Sequence, residues 1–125
     1  MRLLLDTNAL LWWLDSPKLL RSEAHGAIEE PANEIFVSAI AVWEIVLKSG
    51  LSKLPMPADF RVHLERARFS ALPLTWEHSL EAGGLPFHHR DPFDRLLIAQ
   101  ARIEGLTIVT SDPAFEKYQV ATIPA

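Results

Sequence analysis

The stretch "DPFDRLLIAQARIEGLTIVTSDP", residues 91–113, decides how this chain of 125 residues is read. Its helical part has Asp91 at a cap position, Pro92 at the first helical position, apolar residues at helical spacing, and Gly105 as a stop. The strand "LTIVT" follows at once, mostly apolar on both faces, and "SDP" turns the chain away. A capped helix feeding a buried strand is the repeating unit of an α/β fold.

The same alternation runs outward from this stretch. "RLLL", residues 2–5, reads as a buried strand, with Thr7 or Asn8 capping a helix to about Asp15. "SPKLLRSEAHGAIEE" reads as a helix entered through Ser16 and Pro17. "EIFVS", 34–38, is a strand, and Ser38 caps the helix "AIAVWEIVLKSG". After the proline-punctuated connection "LSKLPMP" come the helix "ADFRVHLERARF", the strand "SALPL" and a helix "TWEHSLEAGG" capped by Thr75. "LPFHHR" is a loop, "SDPAFEKY" a short capped turn and "QVATIP" a weak terminal strand. Such a chain builds an α/β sandwich around a mostly parallel sheet, in which ligands bind beyond the carboxyl ends of the strands.

Length and composition are those of one ordinary folded domain, residues 1–125. The absence of cysteine excludes disulfides, thiolate metal sites and a cysteine nucleophile. No apolar run approaches the roughly 18 residues of a membrane span, and Asp6 interrupts the N-terminal run too early for a signal peptide, so a cytoplasmic location is expected. A net charge of −4 argues against a broadly basic nucleic-acid surface, unless divalent ions offset clustered carboxylates.

Three aspartates fall at the carboxyl edge of that sheet. Asp6 follows the first strand, Asp112 lies just beyond Thr110, and Asp94 stands in the first turn of the helix that starts at this edge. Each alone is also a plausible capping residue, since first-turn carboxylates gain about 0.3–1 kcal/mol from the helix dipole. Asp94 shares a face with Leu97, Ile98 and Ala101 and so points toward the sheet, leaving Asp91 to pair outward with Arg95.

Glu44 has no such explanation. It is the one charge between Glu34 and Lys48, inside an apolar helix, where an ionised carboxylate costs several kcal/mol unless paired. A metal shared with the three aspartates is the simplest partner. Oxygen ligands without cysteine favour Mg²⁺, or Mn²⁺, over Zn²⁺, and Mg²⁺ binds phosphate oxygens. The chemistry that fits is metal-assisted hydrolysis of a phosphodiester.

With those residues in place, the chain resembles the PIN-domain ribonucleases, and closely the VapC toxins of bacterial toxin–antitoxin pairs. The matching stretches are "LLLDTNALLWWL", "VSAIAVWEIVLKSGLSKL", "HHRDPFDRLLIAQA" and "TIVTSDPAF", in family order. The resemblance implies a three-layer α/β sandwich with a five-stranded, mostly parallel sheet, a homodimer, and inhibition by a cognate VapB-type antitoxin. It maps the family's acids onto Asp6, Glu44, Asp94 and Asp112, as metal-binding and catalytic residues cutting RNA to 5′-phosphate and 3′-hydroxyl ends. Its polar neighbours match Thr7, Asn8, Ser38, Thr110 and Ser111, which orient the carboxylates or hold water.

Arg90 and Arg95, with Lys48 a weaker candidate, are placed to contact RNA phosphates, the rival reading being surface ion pairs. His88 and His89 read as members of a solvated loop, the rival reading being assistance to substrate binding. Trp43 and Trp76 read as core aromatics. Trp12 and Trp13 lie in a helix apolar nearly all round, so at least one is expected at a partner surface, the rival reading being core packing alone. Two rival functions remain: an acid-pocket phosphatase with Asp6 as nucleophile, for which "DTN" lacks the second aspartate and the lysine, and a catalytically silent PIN-fold module that binds RNA or a partner.

Overall fold

A computed structural model describes residues 1–51 and 56–125. Its strands are β1 (Arg2–Leu5), β2 (Glu34–Ser38), β3 (Ser70–Leu72), β4 (Thr107–Thr110) and β5 (Thr122–Pro124), and its α-helices are α1 (Thr7–Asp15), α2 (Ser22–Glu29), α3 (Ala39–Gly50), α4 (Phe60–Arg66), α5 (Trp76–Gly84) and α6 (Pro92–Glu104). The strands form one sheet in the order β3-β2-β1-β4-β5, every pair parallel. The chain builds outward from β1 to β3 on one side and then crosses to β4 and β5 on the other. The crevice between the carboxyl ends of β1 and β4 is therefore the topological switch point, where open sheets of this kind bind ligands.

Period-two alternation divides β1 between two cores. Leu3 and Leu5 pack on one face with Leu10 of α1, Ala24 and Ile28 of α2 and Ile45 of α3. Leu4 packs on the other with Ala82 of α5, Leu97 and Ile98 of α6, and Phe115. All three leucines are fully buried, each worth about 2 kcal/mol of apolar burial. The result is the three-layer arrangement expected of strands that are apolar on both faces.

Local signals and structure differ in several places. Asp6, not Thr7 or Asn8, is the N-cap of α1, its side chain accepting from the Ala9 N–H. The segment entered through Ser16 breaks into a 3₁₀ turn, Pro17–Leu19, and the separate helix α2, with no side-chain cap from Ser16. α4 is shorter than its apolar pattern, bounded by Asp59 and Arg68 at positive φ, and β3 stops before Pro73. Most of the connection expected over residues 51–57, and the end of the matching stretch 37–54, lie outside the described residues.

The tryptophans also differ. Trp12 and Trp13 are half-buried and pack against the core of the β1 leucines, so neither is the exposed ring expected of a partner surface. Trp43 and Trp76 are the exposed ones, at 52% and 89%. α3 turns Ile40, Ala41, Glu44 and Ile45 inward, which leaves Trp43 on the opposite side. Trp76 opens α5, whose buried residues are His78 and Ala82. Among the described residues, no helix is long and apolar enough to cross a membrane.

Candidate metal centre

The edge at the switch point is built from cap positions. The Asp6 N–H donates to the Val109 carbonyl at 3.1 Å, so the β1–β4 ladder continues to Asp6 before α1 begins. One carboxylate oxygen of Asp6 accepts from the Ala9 N–H at 2.8 Å, which leaves the other oxygen uncommitted to the cap. Asp6 is 5% exposed, and burial, with further repulsion from Glu44 and Asp112, raises its pKa to about 6 despite hydrogen bonds with Thr110 and Ala9.

Asp94 is freed by its neighbour. Asp91 caps α6 by accepting from the N–H groups of Phe93 and Asp94 at 2.8 and 3.2 Å, so the Asp94 carboxylate has no capping duty. Burial comes first, then Asp91, in raising its pKa to about 7; Glu44 and Asp6 add to this, and His89 opposes it. Asp112 caps the 3₁₀ turn Pro113–Tyr118 through Oδ1, 2.9 Å from the Ala114 N–H.

Glu44 is buried, at 6% exposure, but it has protein partners that its apolar surroundings in the sequence conceal. Thr7 Oγ1 donates to its Oε1 at 2.6 Å, and Lys48 one turn along α3 forms an ion pair with its Oε2. The acids therefore gather with a lysine among them. The Glu44 hydrogen bond is the main cause of a raised Lys48 pKa. Engaged in this way and lying near the Phe93 ring, Lys48 is not a free phosphate contact.

His89 is the residue that the sequence reading missed. Its Nε2 lies 2.8 Å from Asp112 Oδ2 and 3.0 Å from Asp94 Oδ2, and its side chain is only 17% exposed. Ligand atoms of His89, Asp94 and Asp112 all fall within 4.8 Å of one another; among the described residues this is the group so arranged, with Asp6 and Glu44 outside it. The one local signal was the placement of His89 two residues before the cap Asp91, which lets its Nδ1 accept the Asp91 N–H at 3.1 Å. His88, by contrast, is exposed as expected.

Arg95 is not a surface residue at all. At 7% exposure, its guanidinium donates to the carbonyls of Ala82, Leu85, Pro86 and His89 at 2.7–3.2 Å and lies over the Phe87 ring. This buried fork shapes the loop 85–91 and so carries His89, and it replaces the expected contact with RNA or with Asp91. Arg90 remains exposed.

The other polar neighbours divide. Thr7 and Thr110 are buried, Thr110 Oγ1 accepting from the Asp112 N–H at 3.0 Å. Ser38 is buried with its hydroxyl turned to cap α3. Asn8 and Ser111 are exposed.

Hard oxygen donors predominate here, and burial together with mutual repulsion raises the pKa of two of the acids. A divalent cation of the Mg²⁺ or Mn²⁺ type fits this donor set, because it would relieve the repulsion that raises Asp6 and Asp94.

Residues 3–121 match the PIN domain family. Ribonuclease VapC22 of Mycobacterium tuberculosis is 30% identical over 112 residues, covering 87% of this chain and 85% of that protein. The fold is similar to that in VapBC2 from Rickettsia felis bound to a promoter DNA fragment, with a TM-score of 0.75, 19% identity and 98% of each chain covered. It is also similar to that in DNA-bound VapBC from Salmonella typhimurium, with a TM-score of 0.71, 18% identity, and 98% and 97% of the two chains covered. The family match over nearly the whole chain, on a parallel sheet that gathers acids at its switch point, means that the chain belongs to the PIN-domain family and is VapC-like.

Proposed function

We propose that the chain is a Mg²⁺-dependent endoribonuclease, with Mn²⁺ able to substitute, and that it acts as the toxin of a VapBC-type pair. The observation that carries this reading is the set of four acids, Asp6, Glu44, Asp94 and Asp112, around the crevice between β1 and β4, electrostatically coupled to one another. The identity with Ribonuclease VapC22 supplies the reaction class.

In this reading Asp6, Asp94 and Asp112 hold the metal. Glu44 adds charge while remaining anchored by Thr7 and Lys48. A bound ion would supply polarisation of a phosphate oxygen and activation of a water for attack at neutral pH. Thr110 holds the turn that carries Asp112, and exposed Arg90 takes a neighbouring phosphate of the RNA. Hydrolysis leaves a 5′-phosphate and a 3′-hydroxyl.

A cognate VapB-type antitoxin is one proposed partner, since similar solved folds are found in VapBC assemblies, and a second copy of the chain is the other. The test is cleavage-site mapping on total RNA with Mg²⁺, Mn²⁺ or chelator. Metal-dependent cuts that disappear in Asp94→Asn, with folding unchanged, are expected; no cleavage of any RNA pool would overturn the reading in favour of a silent binding module.

A further inference from the structure

The strongest unassigned feature is the imidazole wedged between two of the acids. Its Nδ1 accepts the Asp91 backbone N–H, so the ring proton sits on Nε2. That Nε2–H donates to Asp112 Oδ2 at 2.8 Å, while Asp94 Oδ2, from a different element, lies 3.0 Å from the same nitrogen outside hydrogen-bond alignment. For Nε2 to ligate a metal directly, the proton would have to move to Nδ1, where it would meet the Asp91 N–H head on. The backbone of α6's cap therefore selects donation over ligation.

His89 is also held by one aromatic contact and through its backbone. Its edge meets Phe115 at 5.8 Å between centroids, its backbone N–H donates to the Tyr118 hydroxyl at 2.6 Å, and its carbonyl accepts from Arg95 at 3.2 Å. Tyr118 in turn donates to the Pro86 carbonyl at 2.7 Å, closing the loop on itself. Asp112 is thereby fixed at both oxygens, by Ala114 at Oδ1 and by His89 at Oδ2.

We propose that His89 is a positioning residue of the metal centre, whose Nε2–H sets the rotation of the Asp112 carboxylate and its spacing from Asp94 without itself ligating the ion. This rests on the reading of those aspartates as metal ligands. Outer donors that orient ligands in this way are typically worth about 10- to 100-fold in metal affinity.

The test measures Mn²⁺ binding to the metal-free full chain by calorimetry, alongside electron spin echo spectroscopy of the Mn²⁺-loaded protein with ¹⁵N-labelled histidine. Affinity is expected to fall about tenfold or more in His89→Ala and to return most of the way in His89→Gln, whose side-chain amide restores a donor. No directly coordinated histidine nitrogen is expected in the spectrum. If wild type binds Mn²⁺ and His89→Ala binds equally well, or a coordinated nitrogen appears and vanishes in His89→Gln, the positioning role is wrong while the metal site stands. Failure of His89→Gln to recover affinity, with its thermal midpoint unchanged, also overturns the role. If wild type binds no Mn²⁺, the metal reading itself falls, and the role with it.

Discussion

The hydroxyl of Thr7 donates to Glu44 at 2.6 Å, joining the first turn of α1 to the inside of α3 across 37 residues of sequence. Thr7→Val keeps the shape and removes the donor, leaving a buried carboxylate oxygen without its partner. Urea denaturation is expected to show a loss of about 1–3 kcal/mol, with Thr7→Ser close to wild type. Equal stability of Thr7→Val and wild type would show that this bond contributes nothing net.

The loop 85–91 depends on the buried fork of Arg95. Arg95→Met is expected to cost about 3 kcal/mol, because several carbonyls lose a charged donor together. Amide hydrogen exchange over residues 85–91 should rise more than over β1 or β4. Arg95→Lys should recover little, since one ammonium cannot span the same carbonyls. Unchanged exchange in the loop would sink this assignment.

Asp6 and Asp94 set the pH dependence of the metal-free protein. Their folded pKa values, about 6 and about 7, lie above the ordinary 3.8, so the folded state binds protons more tightly than the unfolded chain. Stability is then higher below about pH 4 for these two groups and declines as pH rises toward 7. For Asp6 the rise from 3.8 to about 6, at about 1.4 kcal/mol per pH unit, is about 3 kcal/mol. Thermal midpoints in chelator should fall between about pH 4 and 7, less steeply in Asp6→Asn and Asp94→Asn. Excess Mg²⁺ should flatten the slope, and a slope insensitive to both variants and to Mg²⁺ would contradict the electrostatic account.

Arg90 is exposed on the same loop, free of the carbonyl network that holds Arg95. Binding of a short single-stranded RNA in chelator should weaken in Arg90→Ala, with the slope of log affinity against log salt reduced by about 0.7. The thermal midpoint should not move. Identical salt slopes for the two proteins would remove Arg90 from the RNA path.

Much of the fold was legible because its signals are local. Ser38, Thr75 and Asp91 cap the helices that their positions announce, and Gly105 ends α6 at φ 67°, where a residue without Cβ is favoured. The edge positions of Asp6, Asp94 and Asp112 follow from those boundaries alone. The Glu44 argument was half legible: its burial could be inferred, but its pairing with Thr7 could not, because the partner comes from another helix.

The sequence by itself determined the alternation of strands and helices, the two-sided burial of β1 and the placement of three acids at one edge. These depend on periodicity, capping and turn chemistry within a few residues. Only the tertiary structure decided that His89 is wedged between Asp94 and Asp112, that Arg95 is a buried clamp, and that Trp43 and Trp76, not Trp12 and Trp13, face outward. The physical reason is common to all three. A side chain's partners are set by which distant elements the parallel sheet brings together, and His89 meets Asp112 from 23 residues away.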